Sequence, residues 1–229
     1  MKEILEEIRE IIKGSELNGV AGSLIYSSVK TIKPGQIAFY GLNPGGVPDE
    51  KSTVLDHLNF MSREENNNFN EYCDGVWKPG GRVAPRGGAT LQKRVQYLLA
   101  SLAINARNVF ASNLIFKRSR SESELKNEDY WAEICWPIHK RLLSIVDPSL
   151  IIVMGNFAFN FLKNNMDDIY KSEFFESGHG AWSCESVIGS LGNRTRKLVK
   201  IPHLSRYDIT SHRSVIDKIK TIRDLKLSN

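Results

Sequence analysis

Two short polar segments hold the residue types that chemistry needs, and each follows an apolar run. The first is Gly41-Leu42-Asn43-Pro44-Gly45-Gly46, after Ile37-Ala38-Phe39-Tyr40. The second is Pro202-His203-Leu204-Ser205-Arg206, after a run that begins at Leu198. An amide and an imidazole thus stand where buried strands should end, the place where open α/β sheets collect their ligands. A glycine turn there exposes backbone N–H groups and lets main chain come close to a ligand. Pro-Gly-Gly alone reads first as a structural turn, and it is the second polar strand end that makes a site. Asn113 adds a third polar group, inside the apolar run Val109–Phe116 and just before Lys117-Arg118-Ser119-Arg120-Ser121. A buried Asn without partners costs about 1–3 kcal/mol. Asn113 therefore either bonds neighbouring main chain or offers one donor and one acceptor to a ligand. Asn43 is no strong base, but its side-chain carbonyl can orient a water. His203, neutral or cationic, can donate to an oxygen on which negative charge develops.

The elements that must position these residues are legible as four apolar runs: Ile37–Gly41, Val109–Phe116, Leu150–Gly155 and Leu198–Pro202. Helical periodicity lies between them. Thr90–Ile104 reads as a helix capped by Thr90, Tyr130–Val146 as one that stops before Asp147-Pro148, and Asn156–Asn165 as one opening from Gly155. Ser211–Leu227 reads as a closing amphipathic helix. Glu3, Glu6, Glu7 and Glu10 around Ile4, Ile8 and Ile11 predict an N-terminal one, not a signal peptide. Alternating strands and helices imply α/β architecture: a three-layer α/β/α sandwich with a four-stranded, mainly parallel sheet, in one domain over 1–229. Glu64–Gly88 is polar, glycine-rich and without periodicity, and Phe174–Arg196 suggests a hairpin leading into the last strand.

The chain has 229 residues, 41% hydrophobic and 25% charged, enough for a full core in one domain. No apolar stretch approaches the roughly 20 residues that span a bilayer, so the expectation is a cytoplasmic monomer without membrane contact. Cys73, Cys135 and Cys184 show no CxxC spacing and are too few for a four-thiolate cluster; core or half-buried thiols are expected. Neither the cysteines nor the five dispersed histidines predict a metal or other cofactor. Net charge is +5, and residues 191–229 hold ten Lys/Arg against three Asp. Basic residues gathered near a site suit a polyanion such as DNA.

These motifs resemble the uracil-DNA glycosylase superfamily. Gly41-Leu42-Asn43-Pro44-Gly45 is similar to the Gly-aliphatic-Asn-Pro-Gly motif of its mismatch-specific and single-strand-selective branches. His203-Leu204-Ser205-Arg206 is similar to their His-Pro-Ser-Pro motif, and Asn113 stands where the family carries its base-reading Asn. The resemblance implies hydrolysis of the N-glycosidic bond of a flipped-out uracil or 5-modified pyrimidine, leaving an abasic site in DNA. Asn43 and His203 would be catalytic. Gly41, Leu42, Pro44, Gly45, Gly46 and Asn113 would hold the base. Lys117, Arg118, Arg120, Ser205, Arg206 and Tyr207 would contact DNA, with Arg206 and Tyr207 filling the gap in the stack. Such enzymes serve base-excision repair and, in some members, defence against phage. The departures are Leu204 and Arg206 in place of prolines, and the lack of an aromatic directly after the first motif. Phe69, Tyr72 and Trp77 are the candidates to stack on an extruded base. Where the classical enzymes carry a tyrosine beside the 5-position, this chain has Gly45, which opens room for a methyl, hydroxymethyl or larger, even glucosylated, substituent.

A non-catalytic reader of DNA or modified bases fits the same residues. A nucleotide-dependent α/β enzyme lacks its phosphate cradle, with no GxGxxG after a strand and no GxxxxGK[ST]. A Ser-His hydrolase lacks a GxSxG elbow. His57, His139, His179 and His212 have no partners by spacing and are expected at the surface or core edge, with His179 able to reach the site.

Overall fold

A computed structural model describes residues 1–35, 37–48, 52–192 and 194–226. The predicted turn residue Asn193 and the predicted helix end at Leu227 lie outside them.

The apolar runs form strands because β-branched and aromatic residues fill both faces of a covered sheet. These are β1 (Ile37–Gly41), β2 (Phe110–Asn113) and β3 (Leu150–Met154), each buried at every position. A hairpin the sequence only hinted at supplies β4 (Asp168–Glu176) and β5 (Ser183–Ser190), and the last run lengthens to β6 (Thr195–Ile201). The sheet is therefore six-stranded and mixed, in the order β2-β1-β3-β6-β5-β4. The expected four parallel strands are present as β2-β1-β3-β6, and β5 and β4 extend them antiparallel. β4 escaped recognition because it is mostly exposed and carries no alternating apolar pattern.

Helices cover both faces. α1 (Lys2–Lys13), α2 (Val54–Met61), α5 (Glu128–Val146) and α6 (Asn156–Asn164) bury their apolar sides with Ala38, Tyr40, Ile151 and Val153. α4 (Thr90–Ser101) and α7 (Arg213–Asp224) do so on the other face with Phe39, Ile152, Val199 and Ile201, joined by Tyr72 from the one-turn α3 (Glu71–Asp74). Three local readings shift. α1 buries Leu5, Ile8 and Ile12 rather than a stripe through Ile4 and Ile11. Thr90 is the first helical residue and not the cap: Gln92 Oε1 accepts from the Ala89 N–H at 2.9 Å instead. Ser211 falls in a short 3-10 turn ahead of α7.

Glu64–Gly88, expected to be irregular, is tied down by its own polar residues. Asn70 Oδ1 accepts from the N–H of Tyr72 and Cys73, starting α3. Gln92 and Gln96 of α4 donate to carbonyls of Glu71, Gly75, Tyr72 and Gly87.

Candidate functional site

Because β2, β1, β3 and β6 run parallel, their carboxyl ends share one edge. Gly41 pairs with Asn113, and Met154 with Ile201. The turns holding Asn43 and His203 thus leave the same edge, from strands flanking β3. At about 4.8 Å per neighbouring strand, β1 and β6 are about 10 Å apart.

Asn43 is held through its amide nitrogen. Nδ2 donates to Pro44 O at 3.1 Å, Lys117 O at 3.2 Å and Ser119 Oγ at 2.8 Å. Ser119 in turn donates from Oγ to Ser121 O at 2.7 Å and from its N–H to Pro44 O at 3.1 Å. These acceptors fix the amide's orientation and leave Oδ1 as its acceptor atom. No donor among the described residues meets it.

His203 is fixed the opposite way. Its Nδ1 accepts from the Ser205 N–H at 3.2 Å and lies 2.8 Å from Ser205 Oγ. An Nδ1 that accepts a backbone N–H carries no proton, which makes Nε2 the donor of a neutral imidazole. Burial lowers the imidazole's pKa, opposed by Glu122 and reinforced by Arg206, so neutrality extends below the ordinary range. Arg94 of α4 braces this turn, donating to Leu204 O at 2.9 Å and Ser205 O at 3.1 Å.

Asn113 is 3% exposed, and its buried Nδ2 has no hydrogen-bond partner. The Tyr26 phenol is close enough to feel this amide without completing a bond to Nδ2. On the other side the amide presses on Gly41, where an added Cβ would stand 2.3 Å from Asn113 Oδ1. Gly41 is thus required by close approach, and Asn113 Nδ2 stays a buried donor without a hydrogen-bond partner. Of the alternatives open for Asn113, bonding to neighbouring main chain is not what Nδ2 does. In the glycine turn, Gly46 adopts φ +105°, which favours glycine, whereas a Cβ at Gly45 would meet nothing within 4 Å.

The Tyr26 ring lies beside the Asn113 amide. Tyr26 packs edge-on against Tyr72 at 5.5 Å and Trp77 at 6.0 Å. Tyr72 is buried beneath Phe39, and Phe69 packs on Phe60 against the other core. Of the three predicted stacking candidates, half-buried Trp77 is the one that combines exposure with this position. Its Nε1 donates to Glu71 Oε2 at 2.9 Å. Burial would raise the Glu71 carboxyl, but His57, Trp77 and Arg118 together hold it below the usual carboxylate range. His57 faces Glu71 loosely, Nε2 to Oε1 at 3.8 Å, and neither of its buried ring nitrogens has a hydrogen-bond partner.

The expected DNA contacts divide. Ser205, Arg206 and Arg120 are exposed on the strand-end turns. Lys117 lies over the Trp131 ring, 4.2 Å from its centroid. Arg118 is a latch: Nη1 donates to Gly45 O and Nη2 to Ser23 Oγ, tying the glycine turn to the segment before β1. Tyr207 corrects the expectation outright. It is fully buried, donates to Ser177 O and packs on His212, so it cannot enter a duplex. His179 joins Trp182, Tyr207 and His212 behind that turn. His139 is buried in the core, with Nε2 2.8 Å from Leu114 O.

The basic C-terminal segment is also largely spent on structure. Arg196, Lys197 and Lys200 are buried within β6. Arg196 bonds Leu191 O, Pro148 O and Asp147, while Lys197 bonds Arg223 O. Exposed cations next to Trp77 are instead Lys78, Arg82 and Arg86. Residues the sequence did not single out are Tyr26, Glu71, Arg94 and Ser119. Ser119 lay in the basic stretch after Asn113, and the other three carried no motif.

No family model matches the chain, and no curated protein is significantly similar to it.

Proposed function

We propose that the chain is a monofunctional DNA glycosylase that removes uracil or a 5-modified pyrimidine from DNA. The observation that carries this reading is the opposite tethering of two groups on one sheet edge. Asn43 is fixed as an acceptor by three bonds to its NH2 group. His203 is fixed as an Nε2 donor by the Ser205 N–H. Water-driven cleavage of a glycosidic bond needs an acceptor that orients the water behind the sugar. It also needs a preorganised donor for the charge that builds on the departing base. Asn113 supports the base-reading role, because its unpartnered Nδ2 matches a pyrimidine 4-carbonyl. Half-buried Trp77, packed on Tyr26, supports a stacking role, and the exposed Arg206 suits a phosphate or the gap in the stack. The open space at Gly45 supports a pocket that accepts 5-substituents. A role in repair or in defence against phage with modified bases follows from the base accepted.

The test is single-turnover formation of abasic sites on oligonucleotides bearing uracil, 5-hydroxymethyluracil or glucosylated 5-hydroxymethylcytosine. Asn43→Ala and His203→Ala should each slow excision by about 100-fold or more, the scale of losing one preorganised group. Abasic-site yield retained in both variants overturns the roles of Asn43 and His203. Binding of modified DNA with no cleavage by the wild type favours a non-catalytic reader, which the same tethered groups also suit.

A further inference from the structure

We infer that the protein self-associates through β4, which pairs antiparallel with β4 of a second copy across a two-fold axis at Ser172. The inference is independent of the glycosylase reading, and it replaces the monomer expected from the sequence. The two edges of the sheet are treated unequally. Beyond β2, residues 22–26 cover the outer edge: Ile25 bridges Ser112, Gly22 bridges Lys117, and the Tyr26 N–H donates to Ala111 O at 2.7 Å. Beyond β4, no strand among the described residues pairs with the outer edge, which runs for nine residues. A strand so placed presents a row of unpaired N–H and C=O groups. Ile169, Tyr170 and Phe174 are exposed along it, apolar surface of the kind that edges without a partner keep short or covered.

Self-pairing is selected by charge. Ser172 and Phe174 share the face of Glu185, and the Ser172 hydroxyl donates to Glu185 Oε1 at 3.2 Å. Lys171, Glu173 and Phe175 share the α7 face, where Lys218 pairs with Glu173 and stands 5.9 Å from the Phe175 centroid. A sheet continued through a two-fold axis keeps these faces apart, so directly opposed residues come from the same face. With the axis at Ser172, Lys171 of each copy opposes Glu173 of the other. Moved one residue either way, the axis sets Lys171 against Lys171 or Glu173 against Glu173, and like charges directly opposed repel. Within one chain Lys171 and Glu173 meet only loosely, Nζ to Oε2 at 3.8 Å, and both stay open to the crossed pairing. Tyr170, at the bulge between Ile169 and Lys171, then comes beside Phe174 of the second copy, an aromatic pair of the kind that stabilises antiparallel ladders. A lysine and a bulge on an edge strand keep foreign strands away. Glu173 turns the same lysine into a mark for self-recognition. Because the β2 edge is covered, assembly closes at two copies.

The experiment is sedimentation equilibrium over a range of concentrations, with native mass spectrometry of mixtures. The proteins are wild type, Lys171→Glu, Glu173→Lys, the variant carrying both exchanges, and Phe174→Ser. The wild type should reach a dimer and no larger species. Each single charge exchange sets like charges opposite each other on both sides of the axis and should raise the dissociation constant about tenfold or more. The double variant should recover the dimer. A mixture of the two single variants should form the mixed dimer in preference to either homodimer. Glu173→Lys also gives up its pairing with Lys218; if it fails to fold, Lys171→Glu and Phe174→Ser carry the test, and both should weaken the dimer. A wild type that stays monomeric, a dimer indifferent to these substitutions, failure of both recoveries in folded variants, or growth into higher oligomers each overturns the inference.

Discussion

Gly41 shows how a single missing side chain shapes the proposed base pocket. Its Cα accommodates the Asn113 amide so closely that one added carbon would stand 2.3 Å from Oδ1. Gly41→Ala leaves the strand its φ and its ladder, but must swing the amide off its line. The expected outcome is a loss of excision of about tenfold to a hundredfold with about 1–3 kcal/mol of destabilisation, the usual range for overpacking. Single-turnover rates and thermal melts on the same protein measure the two together. An unchanged rate would mean that Asn113 does not read the base. At this scale the sequence was informative wherever a polar residue interrupted an apolar run: Asn43, Asn113 and His203 all issue from the shared edge. It was silent on Tyr26, which belongs to an irregular segment and is recruited by a backbone bond from the Tyr26 N–H to Ala111 O. It misjudged Tyr207, because a residue one place beyond an exposed Arg can still turn inward at a tight bend.

The turn after β6 depends on a neighbouring helix, since Arg94 of α4 donates to two of its carbonyls and lies 3.4 Å from Asp208. Arg94→Ala should loosen the His203 ring without touching substrate. We expect excision to slow by about tenfold at saturating enzyme with little change in DNA affinity, and Arg94→Lys, a single point of charge in place of a fork, to recover part of it. Comparing single-turnover rate with equilibrium DNA binding checks this; a matched loss of affinity would place Arg94 on the DNA instead. The elements themselves were legible in proportion to their burial. The four parallel strands stood out as apolar runs, while β4 hid because both its faces meet solvent, with Tyr170 and Phe174 each more than 60% exposed. α2 and α3 are short, with ends set by caps, the Thr53–Asp56 box and Asn70, and α3 lies in a polar stretch without periodicity.

The whole molecule carries an acid weakness in its core. Burial pushes His139 down to about 4, against bonds to Leu114 and Asn113 that favour its charge. The unfolded chain takes up this proton near the ordinary value of about 6.5. The fold therefore binds fewer protons than the unfolded chain in that window. Stability from His139 is complete above about pH 6.5 and is lost as pH falls toward 4, by about 3 kcal/mol in all. His203, lowered mainly by burial, acts with the same sign. Melting temperature should drop on the order of 10 °C across that range, and His139→Gln should flatten the curve; an equally steep curve in the variant would assign the loss to other groups. Charge at this scale also departs from simple counting. Lysines and arginines of β6 hold carbonyls and carboxylates inside the sheet, so exposed cations belong instead to Lys78, Arg82, Arg86 and the strand-end turns. The residue order Asn43-Pro44 bears on how long the molecule lasts. Asparagine ages when the nitrogen of the next residue attacks the side-chain amide and closes a succinimide ring. Proline brings no N–H to that attack. The Asn43 amide is thus chemically shielded from becoming an aspartate, whose negative charge would face the carbonyls of Pro44 and Lys117.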